Sequence, residues 1–87
     1  MGDLNHLLIK ANQLFSFNKN EEAIKYFQLA LQISQDADTY FNMGLAYQNM
    51  ENYPEAISSL KNAAMISPND AEIYDVMGNI YDIMEKY

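Results

Sequence analysis

The sequence has no cysteine and no tryptophan, and histidine, proline and glycine are rare. Without cysteine, neither disulfides nor thiolate metal sites can contribute to stability, and no cluster of His and Cys has metal-ligand spacing. The three glycines, at positions 2, 44 and 78, are too far apart for a glycine-rich phosphate loop. The single histidine, His6, lies in a helical setting where surface or packing roles are far more common than catalysis. These absences predict a protein that is not an enzyme and holds no cofactor and no metal.

Positive charge is also scarce, because arginine is absent and five lysines face twelve acidic residues, for a net charge of −7. Residues 1–36 carry four acids and three lysines, for −1, whereas residues 37–70 and 71–87 each carry four acids and one lysine, for −3. Binding to nucleic acid requires a basic surface that neutralises phosphates, so a nucleic-acid partner is not expected. An anionic membrane surface is disfavoured for the same reason.

Long hydrophobic runs are missing as well. No apolar run approaches the roughly 18 residues of a membrane span, and no charged-then-apolar signal segment opens the chain. We therefore expect a soluble, cytoplasmic protein.

The centre of the chain contains the pattern of two packed helices. Residues 37–70 read ADTYFNMGLAYQNMENYPEAISSLKNAAMISPND. Apolar and small residues recur there at three- and four-residue spacings on both sides of a short polar turn, which indicates a helix, a break and a second helix. The positions that carry this pattern are Tyr40, Met43, Gly44, Tyr47, Ala56, Leu60, Ala63 and Pro68. One such pair of helices cannot bury its own apolar faces.

The same pattern recurs on both sides of this central unit. When 37–53 is aligned with 71–87, 8 of 17 positions are identical. When 22–34 is aligned with 55–67, 6 of 13 positions are identical. We therefore predict one domain over residues 1–87, with a first repeat at about 4–36, a second at about 37–70 and a half repeat at about 71–87.

Five helices are predicted from these repeats. Asp3 and Asp70 can cap the first and the fifth, because a carboxylate accepts hydrogen bonds from the unpaired N–H groups of a first turn. Pro54 suits the first turn of the fourth helix, where its missing N–H is not needed. The predicted bounds are about 4–17, 21–34, 37–50, 54–67 and 71 onward.

The order of an aromatic residue, a large apolar residue, Gly, Tyr, Ala, a large apolar residue, Ala and Pro within the central repeat resembles the tetratricopeptide repeat. The central repeat matches all eight positions of this signature, whereas the first repeat has Gln35 in place of the proline. The resemblance implies an all-α fold, a right-handed superhelical stack of antiparallel helix pairs. Packing positions of the repeat are occupied by Tyr26, Phe27, Tyr40, Tyr47, Tyr74 and Tyr81.

In proteins of this family the first helix of each repeat lines a concave groove that holds a peptide or a helix. Transferred to this sequence, the resemblance implies a groove lined by Asn5, Leu8, Asn12, Phe15, Phe41, Asn42, Leu45, Gln48, Asn49, Glu72, Asp75, Asn79 and Asp82, with Asp38 near its edge. The four polar residues of the fifth helix also form one stripe by their spacing alone, although a stripe of this kind is equally compatible with a solvated face.

The charge of the groove predicts the kind of ligand. Asn12 and Asn42 match two asparagines with which some family members hold a C-terminal carboxylate. The positions that would supply the required cations carry Leu8, Asn49, Glu72 and Val76 instead. An acidic terminus would meet carboxylates without a counter-charge, so a basic or amphipathic segment is the expected partner.

The fifth helix suggests an alternative, because it has more apolar surface than one neighbouring hairpin can cover, and repeat arrays normally end in a helix with a polar outer face. Either the chain is a piece of a longer array, or this face meets a second copy in a homodimer. The residues assigned to self-association are Ile73, Val76, Ile80, Ile83 and Met84. The leading prediction is a protein-binding adaptor or scaffold, and the alternative is a self-assembly module.

Overall fold

The computed structural model describes residues 3–86 and places them in five α-helices, with no strand within that range. The helices are α1 (Leu4–Ser16), α2 (Asn20–Ile33), α3 (Ala37–Asn49), α4 (Tyr53–Ile66) and α5 (Ala71–Glu85). The all-α prediction is confirmed, and the first four helices begin and end within one residue of the predicted bounds. Residues 1–2 and 87 of the predicted domain lie outside the described residues.

Aspartate side chains begin three of the helices. Asp3 and Asp70 each accept a hydrogen bond from a backbone N–H of the first turn, at 2.8 and 3.1 Å, as predicted. Asp36 does the same for α3 at 3.2 Å, a cap that the sequence analysis did not assign. Pro54 occupies the first turn of α4. The three aspartates satisfy N–H groups that helix geometry leaves without intrahelical partners, and Pro54 has no N–H that would need a partner.

The turns within the two complete repeats share an unusual backbone conformation. Asn18, between α1 and α2, has a φ of 62°, and Glu51, between α3 and α4, has a φ of 60°. The two positions are equivalent when the first repeat is aligned with the second as above. Asparagine tolerates this left-handed conformation, whereas a glutamate there is sterically strained.

The helices pack in chain order, with α2 in contact with both α1 and α3, and α4 in contact with both α3 and α5. The resulting slab measures 44 × 27 × 16 Å. Its first core cluster consists of Ala11, Leu14, Ala23, Ile24, Phe27, Met43 and Ala46. Its second core cluster consists of Ala56, Ile57, Leu60, Ala63, Ile73 and Ile80.

Two tyrosines of α3 join the two core clusters. Tyr40 and Tyr47 are half-buried and pack against both clusters, as their repeat positions predict. Burial, with a smaller contribution from the negative charge of Glu55, raises the pKa of the Tyr47 hydroxyl above its ordinary value, and a hydrogen bond with Gln28 partly offsets this rise. These tyrosines therefore connect the two repeats by packing.

On α5 the structure reverses two parts of the sequence prediction. Tyr74 and Tyr81, assigned to the core, are 47% and 42% exposed. Ile73 and Ile80, assigned to an exposed self-association face, are 1% and 0% exposed and belong to the second core cluster. The reason is which helix lies on each side of α5. Ile73 and Ile80 face the preceding helix, α4. Tyr74 and Tyr81 are equivalent to Tyr40 and Tyr47 of α3, which pack toward the helix that follows α3.

Candidate functional site

The apolar part of the predicted groove lies on α1 and α3. Leu8 and Phe15 are half-buried and pack against the first core cluster, and Phe41 is half-buried against the second. Leu45 follows Phe41 by one turn on the same helix face and is also half-buried. Each of these side chains keeps part of its apolar surface open to solvent on a helix that the core holds in place.

The predicted groove residues of α5 are polar and exposed. Glu72, Asp75, Asn79 and Asp82 are all exposed. When α5 is aligned with α3 as above, Asp75 is equivalent to Phe41, and Asp82 is equivalent to Gln48. The corresponding face of the repeat thus changes from apolar and amide side chains on α3 to carboxylates on α5.

The amide residues of the predicted groove differ in their surroundings. Asn5 and Asn12 are exposed, and Asn42 and Gln48 are half-buried. Asn49 is exposed, but its Nδ2 donates a hydrogen bond to Asn20 Oδ1 at 3.3 Å. This bond links the end of α3 to the start of α2, so Asn49 has a structural role that the sequence did not predict.

Asn20 is the polar residue that makes this link possible. It is only 8% exposed, and its Nδ2 donates to Asn18 Oδ1 at 3.0 Å. A buried amide requires hydrogen-bond partners, and Asn20 finds them both within its own turn and on α3. No sequence pattern signals this arrangement, because the partner from α3 is 29 positions away.

The remaining residues predicted for self-association, Val76, Ile83 and Met84, keep part of their surface open to solvent. Val76 is half-buried and packs against the second core cluster, and Ile83 is half-buried. Met84, which is exposed, lines a hollow together with Glu51, Tyr53 and Pro54. The burial of Ile73 and Ile80 corrects their assignment to an exposed face. For Val76, Ile83 and Met84 a role in self-association stays a prediction.

Two equivalent hollows lie beside the turns of the repeats. The hollow beside Met84 has a volume of about 380 Å³. Met50, which follows the end of α3 and is the equivalent of Met84, lines a hollow of about 330 Å³ at the turn between α1 and α2. A third hollow is lined by Lys10, Gln13, Leu14, Phe17 and Lys19. None of these three hollows is lined by a residue of the predicted groove.

Within residues 3–86 no group of three or more His, Asp or Glu side chains is arranged to hold a metal ion. In the same part of the chain, no helix combines the length and the apolar character needed to cross a bilayer. The predicted groove contains partly exposed apolar side chains, amide groups and carboxylates. These groups suit non-covalent recognition.

Comparison with known proteins gives matches to one family of repeats. A family model described as the tetratricopeptide repeat matches residues 37–70, and a second model with the same description matches residues 8–36. The two matches together extend continuously from α1 to the end of the second repeat.

Two curated proteins are similar to the chain. Anaphase-promoting complex subunit cut9 of Schizosaccharomyces pombe is 31% identical over 85 residues, which is 86% of this chain and 13% of that protein. A DnaJ homolog subfamily C member 3 homolog of Dictyostelium discoideum is 32% identical over 69 residues, which is 78% of this chain and 14% of that protein. The chain therefore spans only a small part of the length of either relative.

Proposed function

Because the chain belongs to the tetratricopeptide repeat family, we propose that it is a protein-interaction module that binds a basic or amphipathic peptide or helix across α1, α3 and α5. The observation that carries this proposal is the partial exposure of Leu8, Phe15, Phe41 and Leu45 on α1 and α3, together with the acidic character of the equivalent face of α5. Apolar side chains gathered in this way are typical of interaction sites.

The apolar residues would supply most of the affinity. Phe41 and Phe15 are held by the core clusters on one side, so a ligand that covers their open side removes apolar surface from water without ordering mobile side chains. Large aromatic residues in such positions are the usual energetic centres of protein interfaces.

The carboxylates of α5 would set the preference for a basic ligand. Asp75 and Asp82 stand where α3 has an apolar residue and an amide, and residues 71–87 carry a net charge of −3 from four acids and one lysine. Complementary charge speeds association and disfavours acidic competitors. An acidic C-terminal peptide is a poor candidate, because the groove positions lack cations and the Asn49 amide already bonds to Asn20.

The name of cut9 describes a subunit of a complex, which agrees with a role in contacts between proteins. In this proposal the chain supplies a recognition surface and has no catalytic role.

Two matched peptides test the proposal. Both are amphipathic helices with the same leucine face, one with lysine and the other with glutamate on the polar face, and binding to the 87-residue chain is measured by calorimetry. We expect the lysine peptide to bind, with an affinity that falls as salt is added, and the glutamate peptide to bind at least roughly tenfold more weakly.

A variant with Phe41→Ala and Leu45→Ala should bind the lysine peptide at least roughly tenfold more weakly, because it removes two apolar anchors from the contact without changing the charge of the groove. Leu29→Ala, which shortens an exposed leucine on α2, is the matched control and should bind normally. Unchanged binding by the double variant, with its helical circular dichroism intact, would contradict the proposed groove.

A further inference from the structure

The two junctions between successive repeats are built from different side chains. At the first junction, Asn20 at the start of α2 is hydrogen-bonded to Asn49 at the end of α3. When the repeats are aligned as above, the equivalents of these two residues at the second junction are Tyr53 and Ile83. Isoleucine has no hydrogen-bonding side chain, so this bond has no equivalent between those two positions. The amide pair is therefore specific to the first junction.

The side-chain amide of Asn20 is fixed at both of its ends. Its Nδ2 donates to Asn18 Oδ1 at 3.0 Å and to the Asn18 backbone oxygen at 3.4 Å, and its Oδ1 accepts from Asn49 Nδ2 at 3.3 Å. We call these three asparagines the amide link. Hydrogen bonds depend on direction, so a buried and fully bonded amide favours one arrangement of its surroundings where apolar packing tolerates several. The amide link thus specifies how the end of α3 lies against the turn between α1 and α2.

The amide link connects the helices that carry the apolar residues of the proposed groove. Asn49 follows Leu45 by four positions on α3, and Phe15 lies three positions before Asn18, near the end of α1. α2 packs against both α1 and α3 and therefore holds these two helices relative to each other. A movement of α3 against the turn would change the distance between Leu45 and Phe15.

We infer that Asn20 is a positioning residue of the proposed groove: through Asn18 and Asn49 it fixes the spacing between the apolar side chains of α1 and those of α3. This inference rests on the proposed function. Asn20 is 8% exposed, so it acts through the two helices and not by touching the ligand. A groove whose two apolar helices are already in place binds a ligand without the cost of ordering them.

A role in stability alone predicts a different outcome. Loss of the amide would then lower the fraction of folded molecules, but every folded molecule would keep the same spacing between α1 and α3. Asn20→Leu separates the two roles, because leucine has no polar atom to leave unpaired, and Asn18 and Asn49 are exposed and can bond to water. Asn20 also lines the hollow of about 330 Å³, which gives room for the larger side chain.

Spin labels measure the spacing directly. Because the 87-residue chain has no cysteine, Ser16→Cys on α1 and Asp38→Cys on α3 place one label at each of two exposed positions. Double electron–electron resonance should give a narrow distance distribution with the amide link intact and a broader one after Asn20→Leu. Asn62→Leu, which replaces a half-buried amide of α4 outside the link, is the matched control and should leave the distribution narrow.

Asn49→Ala removes the same hydrogen bond from its exposed side. It leaves the buried position unaltered, so its effect does not depend on how a leucine packs beside α2. This variant should broaden the distance distribution in the same way as Asn20→Leu. A distribution that stays narrow and in place in either variant would overturn the inference.

Calorimetry with the lysine peptide connects the spacing to recognition. Asn20→Leu should bind the peptide about three- to tenfold more weakly although it retains every proposed contact residue, and Asn62→Leu should bind normally. Equal affinity after Asn20→Leu would overturn the inference and leave the proposed function standing. If the unaltered chain does not bind the peptide, the proposed function fails, and the inference about the groove fails with it.

Discussion

Gly44 and Gly78 occupy equivalent places in α3 and α5, but their surroundings are opposite. Gly44 packs closely against Leu60, so a Cβ atom at this position would collide with the leucine side chain. Leu60 is completely buried in the second core cluster. Around Gly78 there is open space. The same residue type therefore serves close packing at one position and has no packing partner among the described residues at the other.

Replacing each glycine by alanine should change stability in opposite directions. Gly78→Ala should raise the free energy of unfolding by about 1 kcal/mol, because alanine is the better helix former. Gly44→Ala has the same helix-forming gain, but the forced displacement of Leu60 should cost about 2–3 kcal/mol, which exceeds that gain and leaves the variant less stable. Urea denaturation followed by circular dichroism measures both. A stabilised Gly44→Ala would show that α4 can shift away from α3.

At the scale of the helices, the local sequence at each end determines where a helix starts or turns. Aspartate caps precede α1, α3 and α5, and Pro54 lies in the first turn of α4. The turns after α1 and α3 use the left-handed residues Asn18 and Glu51 without any glycine. Only Asn18 has a side chain that suits this conformation and also accepts a hydrogen bond, from Asn20.

Glycine substitutions at the two turns should therefore have different effects. Glu51→Gly should stabilise the chain by about 0.5–1 kcal/mol, because it relieves the strain of a side chain at positive φ. Asn18→Gly should destabilise it by about 0.5–1.5 kcal/mol, because the buried Asn20 amide loses an acceptor. Thermal denaturation of the two variants side by side provides the measurement. Equal changes in the thermal midpoint of the two variants would contradict the proposed difference between the two turns.

At the scale of the whole molecule, the helices are buried to different degrees. α2 and α4 each pack between two neighbours, whereas α5 contacts only α4 among its principal partners in residues 3–86. α5 contributes two buried residues, Ile73 and Ile80, and α4 contributes five. Stability in such a stack is approximately the sum of repeat and neighbour terms, so α5 should open more readily than the helices inside the stack.

Hydrogen exchange should reveal this gradient. We expect lower amide protection in α5 than in α2 and α3, and Ile80→Ala should remove protection in α5 first, because it deletes about 2–5 kcal/mol of core packing. Met65→Ala, at an exposed position of α4, should leave the pattern unchanged. An equal loss of protection in all five helices after Ile80→Ala would mean that the chain unfolds as one unit.

Much of the fold follows from the sequence. The three- and four-residue spacing of apolar residues determines that the chain is helical, and the internal identities between its repeats determine that the helices recur as pairs. Asp3, Asp70 and Pro54 determine where three helices start, because caps depend on residues within one turn. The exposure of the groove positions is also consistent with helical periodicity, while their role in binding stays a prediction.

The tertiary structure alone decided which apolar side chains are buried on α5 and which amides pair. Ile73 and Tyr74 are adjacent apolar residues, and periodicity cannot tell which one faces α4 and which one faces an open side. The link from Asn49 to Asn20 depends on helices that only packing brings together. The sequence by itself thus determined the local helices and their repetition, because those depend on neighbouring residues. The structure decided burial and exposure, because those depend on which helix occupies each side.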